Sequence, residues 1–163
     1  MKNPFNILLF FLLMFLSAPS VAQKKEIIHL DQLLALLKNE SDSVLVVNFW
    51  ATWCKPCVAE MPSFIKVEQE FENEKIRFIY LSLDFKRDFS TRLLPYVEKM
   101  KMKGDVFLLN ELDYDAWIDQ VEPGWQGSLP STLVISPKSK TRTFHEGELS
   151  YDELKNLIKS YLP

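Results

Sequence analysis

The chain contains two cysteines, Cys54 and Cys57, separated by Lys55 and Pro56. A bridge across so short a span closes almost no loop, so it adds little stability through the unfolded chain. Reactivity is the better reason for the pair. The residues before it read as a strand and those after it as a helix, which places Cys54 at a helix N-terminus. The unpaired N–H groups and partial positive charge there stabilise a thiolate. Cys54, at the first and more exposed position, is expected to have the lowered pKa and to attack. Lys55 adds a positive charge beside it. Cys57, one turn further in, is expected to be the resolving thiol. Pro56 suits a helix start because it lacks an N–H. A zinc site would need about four ligands, and His29 and His145 have no second partner at ligand spacing. No metal and no cofactor are expected.

The pair must be held by what surrounds it. Val44–Trp50 is almost wholly apolar, with β-branched and aromatic residues, and reads as a central parallel strand buried on both faces. The helix that starts around Cys54 continues through Met61, Phe64, Ile65 and Phe71, with a kink expected at Pro62. Asp31 is expected to cap a short helix ending at Lys38. Ile76–Leu83 is the next strand. A helix follows from Asp88 to about Lys101, kinked at Pro95, with Gly104 ending that unit. Val106–Leu109 reads as a strand, Tyr114–Val121 as a helix and Glu122–Ser128 as a Gly/Pro-rich loop. Thr132–Ser136 and Thr141–His145 form a hairpin around a turn at Pro137–Lys140. Ser150 and Glu153 make a capping box that opens the last helix. Alternating strands and helices imply an α/β fold with a mostly parallel sheet and an antiparallel hairpin at one side.

With 163 residues and a formal net charge of -3, the chain reads as one domain with no basic patch for nucleic acid. Its first residues stand apart. Lys2, the apolar run Ile7–Leu16 and the small residues Ser20 and Ala22 follow the pattern of a secretory signal. Cleavage is expected after Ala22, leaving residues 23–163 as the folded domain. The alternative is an uncleaved membrane anchor, although the apolar run is shorter than the roughly 20 residues that span a bilayer. No cysteine lies near the cut to carry a lipid.

The block Val47-Asn48-Phe49-Trp50-Ala51-Thr52-Trp53-Cys54-Lys55-Pro56-Cys57-Val58-Ala59-Glu60-Met61-Pro62 resembles the active-site segment of the thioredoxin superfamily, and within it the exported TlpA/ResA-like branch. The resemblance covers most of Val44–Pro163. It implies a thioredoxin fold, a central mixed sheet flanked by helices, with an additional helix and strand between Phe85 and Asn110. Gly127-Ser128-Leu129-Pro130-Ser131-Thr132 resembles the second signature of the family. This implies that Pro130 is cis and opposite the cysteines, and that the Leu129 backbone helps bind a substrate peptide. Trp53 is implied to lie beside the redox surface. Trp125, in the loop before Pro130, could contact a partner or cap the loop's own core. Thioredoxin itself has a buried Asp where this chain has Asn48, which cannot titrate near neutrality. Glu60 is three residues beyond Cys57 on the same helix face. If partly buried, it would be a usable proton acceptor near pH 7.

These features imply an exported thiol-disulfide oxidoreductase that reduces disulfides in partner proteins. Lys55 and Pro56 are expected to tune the pair to a moderate or low potential. An oxidising compartment offers no cytosolic-type reducing pool, so a membrane thiol carrier is implied as electron donor. The alternatives are a disulfide donor or isomerase, and a peptide-binding module without turnover. A peroxidase is conceivable, but no further constellation of residues supports one. The resemblance spans cytochrome maturation, other envelope thiols and stress repair without choosing among them.

Overall fold

The computed structural model describes residues 23–38, 41–111, 113–136 and 140–162. The expected signal segment, residues 1–22, and positions 137–139 of the expected hairpin turn lie outside them. The elements are β1 (Lys25–Ile28), α1 (Leu30–Lys38), β2 (Val44–Trp50), α2 (Lys55–Glu70), β3 (Ile76–Ser82), α3 (Leu94–Met100), β4 (Asp105–Leu109), α4 (Tyr114–Val121), β5 (Ser131–Ser136), β6 (Thr141–Glu146) and α5 (Tyr151–Lys159). The sheet order is β1-β4-β3-β2-β5-β6. β1, β4, β3 and β2 run parallel, whereas β5 pairs antiparallel with β2 and with β6. This is a mixed sheet flanked by helices, and the additional strand is β4, inserted between β1 and β3.

Every residue of β2 is buried, as its composition requires of a strand covered on both faces. Side chains alternate across a strand, so Val44, Val46 and Trp50 enter the core shared with α2, α3 and α5. Leu45, Val47 and Phe49 enter the opposite core, under α1 and α4. The same alternation puts Asn48 on the α2 side. β2 thus delivers the chain to the start of α2 and places one amide beneath that helix.

Two local expectations are corrected. α1 begins at Leu30, so Asp31 lies in its first turn and is not its cap. Its start is satisfied by Gln32 Oε1, which accepts from the His29 N–H (3.0 Å), and by Glu111 Oε1, which accepts from the Leu30 N–H (3.1 Å). The helix expected from Asp88 to Lys101 is three pieces: a 3₁₀ turn at Lys86–Asp88, a π-helical turn at Phe89–Leu93, and α3. Pro95 offers no N–H to the carbonyl four residues earlier, and the ladder widens ahead of it, with Leu94 N–H reaching back to the Phe89 carbonyl. The proline then occupies the first turn of α3 instead of kinking its middle. Pro62, in contrast, lies within α2, which runs on as one helix. The capping box of α5 is present, with Ser150 and Glu153 each accepting from the other's backbone.

Candidate active site

Cys54 is the N-cap residue of α2 and is bonded to Cys57 as a disulfide. Its sulfur accepts the Cys57 backbone N–H at 3.3 Å, so the helix terminus is directed at Cys54 Sγ. Cys54 retains 6 % of its surface and Cys57 none. An attacking partner therefore reaches Cys54 first. Lys55 and Pro56 form the first turn of α2; Lys55 is exposed, and Pro56 needs no hydrogen bond there.

Below the disulfide lies a buried carboxylate. Glu60 extends from α2 towards β2, where Asn48 Nδ2 donates to its Oε1 at 2.8 Å. The Leu149 N–H donates to Oε2 at 2.9 Å. Burial outweighs these two hydrogen bonds, and the carboxyl is pushed up to about 7, with nearby Glu148 adding to the rise. The Asn48 oxygen Oδ1 has no hydrogen-bond partner. The amide can therefore serve either state of Glu60: its NH₂ donates to the carboxylate, and its oxygen, after a flip, accepts from the acid. Such a group can hold or release a proton near neutrality one helical turn from Cys57.

Above the disulfide, Trp53, Cys54, Pro56, Leu83, Gly127 and Leu129 line a cleft of about 360 Å³. The Leu129–Pro130 peptide bond is cis, as the resemblance implied. Pro130 itself is buried behind Leu129, and its carbonyl accepts the Gly147 N–H at 2.9 Å. Gly147 has φ 102°, a left-handed value that favours glycine. It opens the loop whose Leu149 N–H holds Glu60, so a single turn ties the cis-proline segment to the buried carboxylate.

The structure brings Trp53, Cys54, Pro56 and Leu129 together and places Cys57 and Glu60 beneath them. It does not bring Trp125 to that surface. Trp125 is 3 % exposed. Its ring lies 4.8 Å from that of Phe49, and its indole N–H donates to the Ser128 carbonyl at 3.1 Å. The expectation of partner contact is corrected: Trp125 caps the loop's own core, because its polar edge is satisfied locally and its apolar face meets three other rings. His29 pairs with Glu111 at 3.0 Å and His145 lies on β6; among the described residues, neither belongs to a group of three or more His, Cys, Asp or Glu that could hold a metal ion.

Leu83, which lines the cleft, and Asp84 were not singled out from the sequence as site residues. Asp84, buried just after β3, accepts from the Thr52 N–H (3.0 Å), the Thr52 hydroxyl (2.6 Å) and the Ser82 hydroxyl (2.7 Å). It thereby fixes the turn that presents Trp53 and Cys54. The signal was an acidic residue at the end of an apolar strand that the fold places beside β2, the strand that leads into the Thr52 turn.

Comparison with known proteins agrees with this geometry. Residues 17–143 match the AhpC/TSA family. The chain is 26 % identical over 147 residues to a thiol-disulfide oxidoreductase, ResA, of Oceanobacillus iheyensis, covering 90 % of this chain and 72 % of that protein. A thiol:disulfide interchange protein of the thioredoxin family from Chlorobium tepidum superimposes with a TM-score of 0.63 at 22 % identity, over 79 % of this chain and 84 % of that one. A secreted disulfide oxidoreductase of Mycobacterium tuberculosis does so with a TM-score of 0.56 at 24 % identity, over 74 % and 83 %. A Cys-x-x-Cys disulfide at a helix start, a cis-proline loop and a match across most of the chain agree, and the protein belongs to the AhpC/TSA family of the thioredoxin superfamily.

Proposed function

We propose that the protein is an exported thiol-disulfide reductase acting on disulfides of partner proteins. The observation that carries this reading is the asymmetry of the pair: Cys54 borders an open apolar cleft, while Cys57 is sealed beneath it near a carboxyl raised to about 7. In the reduced enzyme the Cys54 thiolate attacks one sulfur of a substrate disulfide, forming a mixed disulfide and releasing one substrate thiolate. Glu60 takes the Cys57 proton, acting as a general base. The Cys57 thiolate then attacks Cys54 Sγ, which releases the second substrate thiolate and leaves the Cys54–Cys57 disulfide. Two electrons pass to the substrate. A membrane thiol carrier returns them. Leu129, beside the cis bond, supplies backbone for an extended peptide, and Trp53 covers its cysteine.

The signal-like pattern of residues 1–22 supports export, as does the likeness to a secreted oxidoreductase. Lys55 and Pro56 support a modest potential, because a strong oxidant needs a far more stabilised thiolate. The test is a Cys57→Ser variant, which cannot complete the exchange. It should accumulate mixed disulfides through Cys54, and the reduced wild-type protein should reduce insulin. Equal partner capture by a variant lacking both cysteines would instead mark a binding module.

A further inference from the structure

Two large apolar side chains stand exposed among the described residues, Trp53 at 50 % and Phe85 at 53 %. They are distant in sequence, but the residues just before them are bonded to each other. Thr52 donates twice to Asp84, and Trp53 and Phe85 are the residues that directly follow that bonded pair. Trp53 lines the cleft over Cys54, and so does Leu83, two residues before Phe85. Apolar surface left in water at one rim of a cleft marks a place that is covered when the protein works.

The exposed charges beside Trp53 and Phe85 are positive. Lys55 directly follows Cys54, and Lys86 and Arg87 directly follow Phe85, all exposed. The Arg87 guanidinium lies 5.0 Å from the Phe85 ring centre. Two acidic groups accompany them. Asp84 is buried, with its oxygens directed at Thr52 and Ser82, and Asp88 is half-buried in the same turn as Lys86. The solvent-facing balance is therefore positive, on a chain whose net charge is -3.

We infer that Phe85, Lys86 and Arg87, with Trp53 and Lys55, form a specificity platform for a disulfide-bearing segment that carries an apolar residue beside its cysteine and carboxylates next to that. The inference rests on the thiol-exchange reading and adds to it the class of polypeptide the site takes. The apolar residue lies between Trp53 and Phe85, and the carboxylates meet Lys86 and Arg87. Exposed ion pairs are individually weak and screened by salt, so the platform ranks substrates without excluding any.

The test uses the reduced full chain and three disulfide-linked peptides that share a phenylalanine beside each cysteine. They differ in two flanking residues: Asp-Asp, Ser-Ser or Lys-Lys. The second-order rate constant at which each peptide oxidises the reduced chain is divided by the rate at which dithiothreitol reduces the same peptide, which removes the effect of the flanks on intrinsic reactivity. It is also divided by the enzyme's rate on bis(2-hydroxyethyl) disulfide, which has no flanks. The expected order is acidic, neutral, basic, with about a fivefold span at low salt that narrows in 0.5 M salt. Lys86→Glu with Arg87→Glu should reverse the order, and Phe85→Ser should lower all three ratios. Equal ratios for the three peptides, or an order untouched by the double substitution, would overturn the platform alone. No reaction of the reduced chain with bis(2-hydroxyethyl) disulfide would overturn the thiol-exchange reading and the platform with it.

Discussion

Glu60 is the residue whose environment says most about proton handling. Its carboxyl is raised from 4.5 to about 7, chiefly by burial. Between those pH values the folded chain keeps a proton that the unfolded chain has lost, so stability falls as pH rises through this window and levels off above it. The cost is on the order of 3 kcal/mol. Glu60→Gln should remove that slope, and denaturant melts at pH 4.5 and pH 8 would then differ less than in the wild type. The same substitution should slow the resolving step and flatten its pH–rate profile near neutrality. An unchanged profile would exclude Glu60 as the acceptor. Asp84 acts differently, through position alone. Asp84→Ala should cost about 3 kcal/mol, because it strands the Thr52 N–H and two hydroxyls in a mostly buried site. Asp84→Asn should cost less in the same urea titration.

The elements explain why such residues meet. β2 was legible from its unbroken apolar run, and the capping box of α5 from Ser150 and Glu153, because both signals are local. Ser150→Ala should lower stability by about 1 kcal/mol in thermal or urea unfolding. The region from Lys86 to Met100 was legible only in part. Periodicity suggested one helix, but whether a proline kinks a helix or restarts it depends on how the preceding turn can widen, which the apolar pattern does not encode. The start of α1 depends on Glu111, which lies in a loop distant in sequence. Trp125 was ambiguous for a similar reason: its partners Phe49, Trp117 and Phe144 come from three different elements. The Cys pair and Glu60 were legible because one contiguous motif carries them, and Pro130 because a second contiguous block, residues 127–132, resembles a family signature. Asp84 was not, because its role arises only when β3 lies beside β2.

At the scale of the whole molecule, the parallel strands, the cis-proline turn and the loop from Gly147 converge at the C-terminal end of β2, in the middle of the sheet, and the disulfide lies where they meet. The proposed export assigns the first 22 residues to a removable signal. Mass spectrometry of the protein recovered from the cell envelope should find a chain beginning at Gln23; an intact Met1 would sink the cleavage site. The central claim concerns electron flow, and the reduction potential of the Cys54–Cys57 pair tests it most directly. Equilibration against glutathione or dithiothreitol buffers should place it nearer the roughly -270 mV of a reducing thioredoxin than the roughly -120 mV of a strong oxidant. A value close to -120 mV would contradict the reductase reading and make the protein a disulfide donor.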